Sequence, residues 1–188
     1  MGLETSPAEV DLGQGCLYSL DPSSLSVSKQ VENVNLSNGL AWSSDNRLMF
    51  FIDSIPGKVY VFDYDVETGV LSNQRTLVDF TVSRGYQDCG IPDGMTIDIE
   101  GKLWVACYNG SCVVRIDPAR GDLLQKIEFP VSKITSCCFG GPNYNELYVT
   151  SAIKGLTDEQ HKQQPLAGAV FKVADLGVKG FAPACFAR

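Results

Sequence analysis

The sequence predicts an all-β protein of the β-propeller type, and three observations carry that prediction. Short apolar runs rich in Val, Ile, Tyr, Phe and Trp are bounded by Gly, Asn, Asp and Pro, and no long segment keeps helical spacing. A unit of strand, Asp-containing turn and strand recurs, with its turn aspartates Asp21, Asp65 and Asp117 spaced 44 and 52 residues apart. That interval is close to the length of a four-stranded propeller blade, about 40–50 residues.

The first hairpin unit is read at residues 16–22, the second at residues 60–69 and the third at residues 113–121, with a weaker copy at residues 169–173. A second element alternates with these: a polar or Gly turn, a strand, a short turn and another strand. It occurs as Asn38-Gly39-Leu40-Ala41-Trp42 followed by residues 48–52, and as Asp93-Gly94-Met95-Thr96-Ile97 followed by residues 103–106. A third copy starts at Ser136 and continues through residues 146–150. Two alternating hairpins per period describe one antiparallel sheet, and repetition of that sheet describes radial packing.

In a propeller the innermost strand of each blade lines a central channel, and the turn leading into it opens at one mouth. Asn38 and Asp93 each precede such a strand in neighbouring units. Their side chains are therefore expected to face one axial cavity, where two oxygen-bearing groups can converge on a metal or a substrate. The alternative is that Asn-Gly and Asp-Gly are turn formers, chosen because they tolerate left-handed backbone.

Composition narrows the partners. With 188 residues, 44% of them hydrophobic, the chain is long enough to bury a core as a single domain, residues 1–188. The net charge of −7, from 22 acidic and 15 basic residues without a basic run, argues against nucleic acid and against anionic lipid. The apolar run at residues 48–52 is too short for a membrane span. The start lacks the order of a secretion signal, which gives a cytoplasmic expectation, with the nucleus as a second compartment. Met1-Gly2-Leu3-Glu4-Thr5-Ser6 matches an N-myristoylation pattern at Gly2, but the basic second signal for stable anchoring is missing.

Seven cysteines with no CxxC pair read as reduced thiols, with Cys107, Cys112, Cys137, Cys138 and Cys185 mostly in apolar strand-like runs. Cys137 and Cys138 should point to opposite faces of one strand. His161, in a polar segment, reads as a solvated loop or short-helix residue.

Several long motifs in one order carry a family resemblance over nearly the whole chain. They are Leu-Ser-Asn-Gly-Leu-Ala-Trp-Ser at residues 36–43, Ile-Pro-Asp-Gly-Met at residues 91–95, Glu-Gly-Lys-Leu-Trp-Val-Ala-Cys-Tyr-Asn-Gly at residues 100–110, and Thr-Ser-Cys-Cys-Phe-Gly-Gly at residues 135–141. With the tail at residues 177–183, the chain resembles the gluconolactonase and luciferin-regenerating-enzyme family of six-bladed propellers. The resemblance implies that Asn38 and Asp93 are metal ligands, that Asp93 is also the proton-transfer residue, and that Glu4 contacts a sugar lactone. It implies Ca²⁺ as the cation, with Zn²⁺, Mg²⁺ or Mn²⁺ as alternatives, and hydrolysis of an aldonolactone to an aldonic acid.

The family's Gly-Glu-Ser/Gly-Pro motif, whose Glu completes the metal site, and its substrate-binding Arg-x-Asn-Asp stretch do not occur in these 188 residues. The resemblance therefore implies an incomplete arc of about four blades, with open strand edges that favour self-association. It also leaves two alternatives to an active lactonase: a calcium-binding regulatory protein without turnover, and a propeller scaffold that binds proteins. Residues 84–90 read as an insertion before Asp93 that alters access to it.

Overall fold

A computed structural model of the chain describes residues 4–6 and 9–184, with side chains described for residues 11–184. Gly2 and Cys185 lie outside the described residues, as does the Glu4 side chain. The strands are β1 (Glu4–Ser6), β2 (Glu9–Val10), β3 (Gly15–Leu20), β4 (Val27–Val34), β5 (Ser37–Trp42), β6 (Leu48–Asp53), β7 (Lys58–Tyr64) and β8 (Leu71–Asp79). They continue as β9 (Ile91–Ile97), β10 (Leu103–Tyr108), β11 (Cys112–Asp117), β12 (Asp122–Glu128), β13 (Ile134–Gly140), β14 (Glu146–Ser151) and β15 (Val170–Val173). One short helix, α1 (Asp158–Gln163), stands between β14 and β15, capped by Thr157 and Gln160. It carries no buried residue, and His161 sits on it.

The sheets follow the chain. A β1–β2 hairpin precedes the β3–β4 pair, then come the sheets β5-β6-β7-β8 and β9-β10-β11-β12, and last the three-stranded sheet β13-β14-β15. Neighbouring strands are antiparallel in each of these sheets. This is the all-β, two-hairpin period expected from the repeats.

Burial explains why the middle strands read as continuous apolar runs. Alternate side chains of a strand point to opposite faces. On β10, Leu103, Val105 and Cys107 pack with Ile52, Val59 and Val61 of the preceding sheet. The intervening Trp104 and Ala106 pack with Ile134, Cys137, Leu147 and Val149 of the following one. On β6, Phe50 and Ile52 face the β9–β12 sheet, whereas Met49 and Phe51 face Val34, Leu17 and Val31 of the β3–β4 pair. Each four-stranded sheet is thus sandwiched between its sequence neighbours.

The recurring turn aspartates are structural. Asp21 Oδ1 accepts from the Ser23 and Ser24 amides, Asp65 Oδ1 from the Glu67 and Thr68 amides, and Asp117 Oδ1 from the Ala119 amide. In all three turns the aspartate carbonyl accepts from the amide four residues on, Leu25, Gly69 or Gly121. That residue has a left-handed backbone in each case.

A buried carboxylate ties the β9–β10 turn together. Asp98, 0% exposed, accepts from the Glu100 and Lys102 amides, from Trp104 Nε1 at 2.9 Å and from Arg115 Nε at 2.8 Å. It also bridges to Gly180, while the Ile99 amide donates to the Lys179 carbonyl, so the C-terminal stretch is fastened to the same turn.

Residues 84–90 are anchored. Tyr86 is buried, its ring lies 4.8 Å from that of Phe80, and its hydroxyl donates to the Gly121 carbonyl at 2.9 Å. Of the cysteines, Cys89, Cys107, Cys112 and Cys137 are buried, whereas Cys138 is exposed, in keeping with opposite faces for Cys137 and Cys138. The core reading thus does not hold for Cys138. Hydrogen bonding to Cys107 leads the causes that push the Cys112 thiol up to about 12, and burial pushes Cys137 up to about 12.

Candidate functional site

Asn38 lies on β5 and Asp93 on β9, the first strands of adjacent four-stranded sheets. Both occupy strand positions, which corrects the expectation that each sits on a turn before its strand. In β5 the pairing with β6 passes from Ser37↔Asp53 to Leu40↔Phe51, and in β9 the pairing with β10 passes from Pro92↔Cys107 to Met95↔Val105. Asn38 and Asp93 therefore occupy the same place in the same irregularity, a bulge of the kind that re-aims a side chain out of the pleat.

The glycines that follow have a packing role. Among the described residues neither Asn38, Asp93, Gly39 nor Gly94 has positive φ, so left-handed turn formation does not account for the Asn-Gly and Asp-Gly pairs. A Cβ on Gly39 would stand 2.5 Å from Met95 Cβ and 2.8 Å from the Met95 amide nitrogen. One on Gly94 would stand 2.7 Å from Ser136 Cα. Each glycine is the point where the first strand of the next sheet abuts, which holds β5 against β9 and β9 against β13. Gly94→Ala is expected to cost about 1–3 kcal/mol by overpacking against Ser136, measured as a lower urea midpoint.

The two side chains interact. Burial pushes the Asp93 carboxyl up to about 6, and hydrogen bonding from the Asn38 side chain opposes that rise without cancelling it. A desolvated carboxyl titrating near neutrality, beside a polar amide, is a group suited to taking or giving a proton. Asn38 Nδ2 also donates to Ser54 Oγ at 3.2 Å, and Ser54 Oγ donates to the Pro92 carbonyl at 2.7 Å. Ser54, in the β6–β7 turn, is thus a member of the site that the motifs did not mark. At the equivalent bulge of β13 the residue is Thr135, whose hydroxyl lies 2.8 Å from that of Thr150.

Oxygen donors from an amide and a carboxylate suit a hard divalent cation. Among the described residues no group of three or more His, Cys, Asp or Glu side chains could hold a metal ion, so the donor set here is the Asn38–Asp93 pair. Glu4 belongs to β1, and its side chain lies outside the described residues. Two surface recesses lie away from Asn38 and Asp93: one, of 600 Å³, is lined by Glu100, Asn145 and Lys179 among others, and the other, of 490 Å³, by Trp42, Tyr64 and Phe181 among others. Among the described residues no helix is long and apolar enough to cross a membrane.

Fold and site together define an all-β protein of stacked antiparallel sheets with an amide–carboxylate pair at matching bulges of two first strands. The chain belongs to the family described as SMP-30/gluconolactonase/LRE-like region, whose model matches residues 1–153. It is 51% identical to regucalcin of Xenopus laevis and 50% identical to human regucalcin, each over 187 residues that span 100% of this chain and 60% of the relative. The chain thus spans about 60% of the length of these curated relatives.

Among solved structures, a luciferin-regenerating enzyme aligns with a TM-score of 0.83 at 41% identity, covering 92% of this chain and 55% of that one. A calcium-binding protein, regucalcin, from Agrobacterium tumefaciens aligns with a TM-score of 0.83 at 26% identity, covering 95% and 58%. A gluconolactonase from Xanthomonas campestris aligns with a TM-score of 0.59 at 26% identity, covering 76% and 43%.

Proposed function

We propose that the stacked sheets are blades of a six-bladed type of propeller, about four of which this chain holds, and that Asn38 and Asp93 form part of a divalent-cation site for hydrolysis of a sugar lactone. The observation that carries this reading is the pairing of Asn38 and Asp93 at equivalent bulges, with the carboxyl held near neutrality by burial. Relatives named regucalcin and gluconolactonase support the substrate class, and a relative named as calcium-binding supports Ca²⁺ as the first cation. Glu4 is the proposed lactone contact. Self-association through the edge of β3, which is paired with β4 alone in a two-stranded sheet, belongs to the same reading.

Asn38 Oδ1 and the Asp93 carboxylate would hold the cation. When bound, such a cation polarises a carbonyl oxygen and makes a nearby water more acidic. Asp93 takes the proton from the attacking water in its ionised form, which predominates above pH about 6. The buried Ser54 and the tight glycine contacts keep the pair in register while this happens.

The test is hydrolysis of an aldonolactone followed by acid release, with and without Ca²⁺ or Mn²⁺. The expected result is metal-dependent turnover in the wild-type chain, lowered by about 10²-fold or more in Asp93→Ala, the lower end of a general base's contribution. Turnover unaffected by Asp93→Ala would contradict the assignment. A second reading, cation binding without turnover, is favoured by the two-member donor set among the described residues. It predicts cation binding that needs Asn38 and Asp93 in a chain that leaves the lactone intact.

A further inference from the structure

Ser54 is 2% exposed, and its backbone is fixed on both sides: its amide donates to the Leu36 carbonyl at 3.1 Å and its carbonyl accepts from the Gly57 amide at 3.1 Å. Its hydroxyl has one proton and two lone pairs. The Pro92 carbonyl, 2.7 Å away, can only accept, so that proton is committed to it. Toward Asn38 the Ser54 oxygen can therefore only accept. Asn38 must present its Nδ2, and does so at 3.2 Å.

This settles an orientation that a carboxamide does not choose by shape, since its oxygen and nitrogen ends are nearly isosteric. Reversing Asn38 would set Oδ1 against the Ser54 lone pairs and leave a part-buried acceptor facing an acceptor. The same hydroxyl grips the backbone one residue before Asp93. One side chain in the β6–β7 turn thus governs the amide on β5 and the strand that carries the carboxylate on β9.

We propose that Ser54 is a positioning residue, which pins the Nδ2 end of Asn38 and so leaves Oδ1 as the end of that amide open to a divalent cation. This rests on the cation reading above. Ser54 touches neither cation nor substrate, and acts through Asn38 and the Pro92 carbonyl.

The experiment combines Mn²⁺ binding with hydrogen exchange of the Asn38 side-chain amide, its resonances identified by their loss in Asn38→Asp. In the wild-type chain the Asn38 Nδ2 protons are expected to exchange slowly, and in Ser54→Ala about tenfold or more faster. Mn²⁺ affinity is expected to fall about 10–100-fold in Ser54→Ala, the usual cost of losing a group that orients a ligand. Ser54→Thr, which keeps the hydroxyl, should restore most of it.

Unchanged Mn²⁺ affinity in Ser54→Ala overturns the proposal. So does free exchange of the Asn38 amide in the wild-type chain, a result that needs no variant and decides the matter if Ser54→Ala does not fold. A wild-type chain that binds no Mn²⁺ yet loses Asn38 protection in Ser54→Ala overturns the cation reading and leaves the orienting role of Ser54 supported.

Discussion

Asp93→Asn is expected to stabilise the metal-free chain at pH 7 by about 2 kcal/mol while removing its cation binding. Burial raises the folded-state carboxyl from 3.8 to about 6. A carboxyl raised in this way contributes stability that is fully present below its unfolded value and is lost as pH climbs through the folded value, because the folded state binds the proton more tightly. The window is therefore pH 4 to 6. At about 1.4 kcal/mol per pKa unit the full shift would amount to roughly 3 kcal/mol, and partial solvent access reduces it to about 2.

Asn has nearly the same shape and no charge to desolvate. Urea unfolding from pH 4 to 8 checks the prediction: the gap between variant and wild type should open between pH 4 and 6 and stay level above 6.5. Other carboxylates of the chain titrate in both proteins and cancel in the difference. Saturating Ca²⁺ or Mn²⁺ should narrow or reverse the gap, since a ligand bound only by the folded wild type stabilises it by mass action. Such a trade between stability and a desolvated functional charge is common in binding sites.

Asp98→Ala is expected to lose about 3–5 kcal/mol, the cost of breaking a buried ion pair from one side. Four different groups donate to this carboxylate: two amides, the Trp104 indole and the Arg115 guanidinium. Arg115 also reaches Glu100 at 2.6 Å and lies 5.6 Å above the centre of the Trp104 ring, but Glu100 is largely solvent-exposed. Removing the Asp98 carboxylate leaves the indole N–H and the guanidinium without their buried partner.

Thermal and urea unfolding read the loss directly. Asp98→Asn, which keeps an acceptor but gives up the charge, should cost less than Asp98→Ala. The double variant Asp98→Ala with Arg115→Met should be less damaged than the sum of the single variants, because the stranded cation goes with its partner.

The period of the fold was legible because its hairpins repeat with chemistry attached. Asp21, Asp65 and Asp117 announce turns by accepting backbone amides, and the middle strands announce burial on both faces by unbroken apolar runs such as Leu48-Met49-Phe50-Phe51-Ile52. Asn38 and Asp93 were legible as a pair for the same reason. What the repeat hid was the cause of their glycines, since an Asn-Gly in a turn and an Asn-Gly at a bulge packed against the next strand look alike in one dimension.

Ser54 was hidden altogether, because its partners Asn38 and Pro92 lie 16 and 38 residues away and no motif links them. Asp98 carried no mark in the sequence, although its carboxylate accepts from two amides, an indole and a guanidinium. Tyr86 stands in a segment that reads as an insertion, and the packing of its ring on Phe80 reveals an anchor.

The central claim is that Asn38 and Asp93 act together as a divalent-cation site. Calorimetric titration of the wild-type chain with Ca²⁺ and Mn²⁺ at pH 5 and pH 7.5, beside Asn38→Ala and Asp93→Asn, tests it most directly. The account predicts binding that strengthens as pH rises through about 6, as Asp93 loses its proton, and that is abolished in both variants. Binding that persists unchanged in both variants, or a wild-type chain that binds neither cation at pH 7.5, would contradict it.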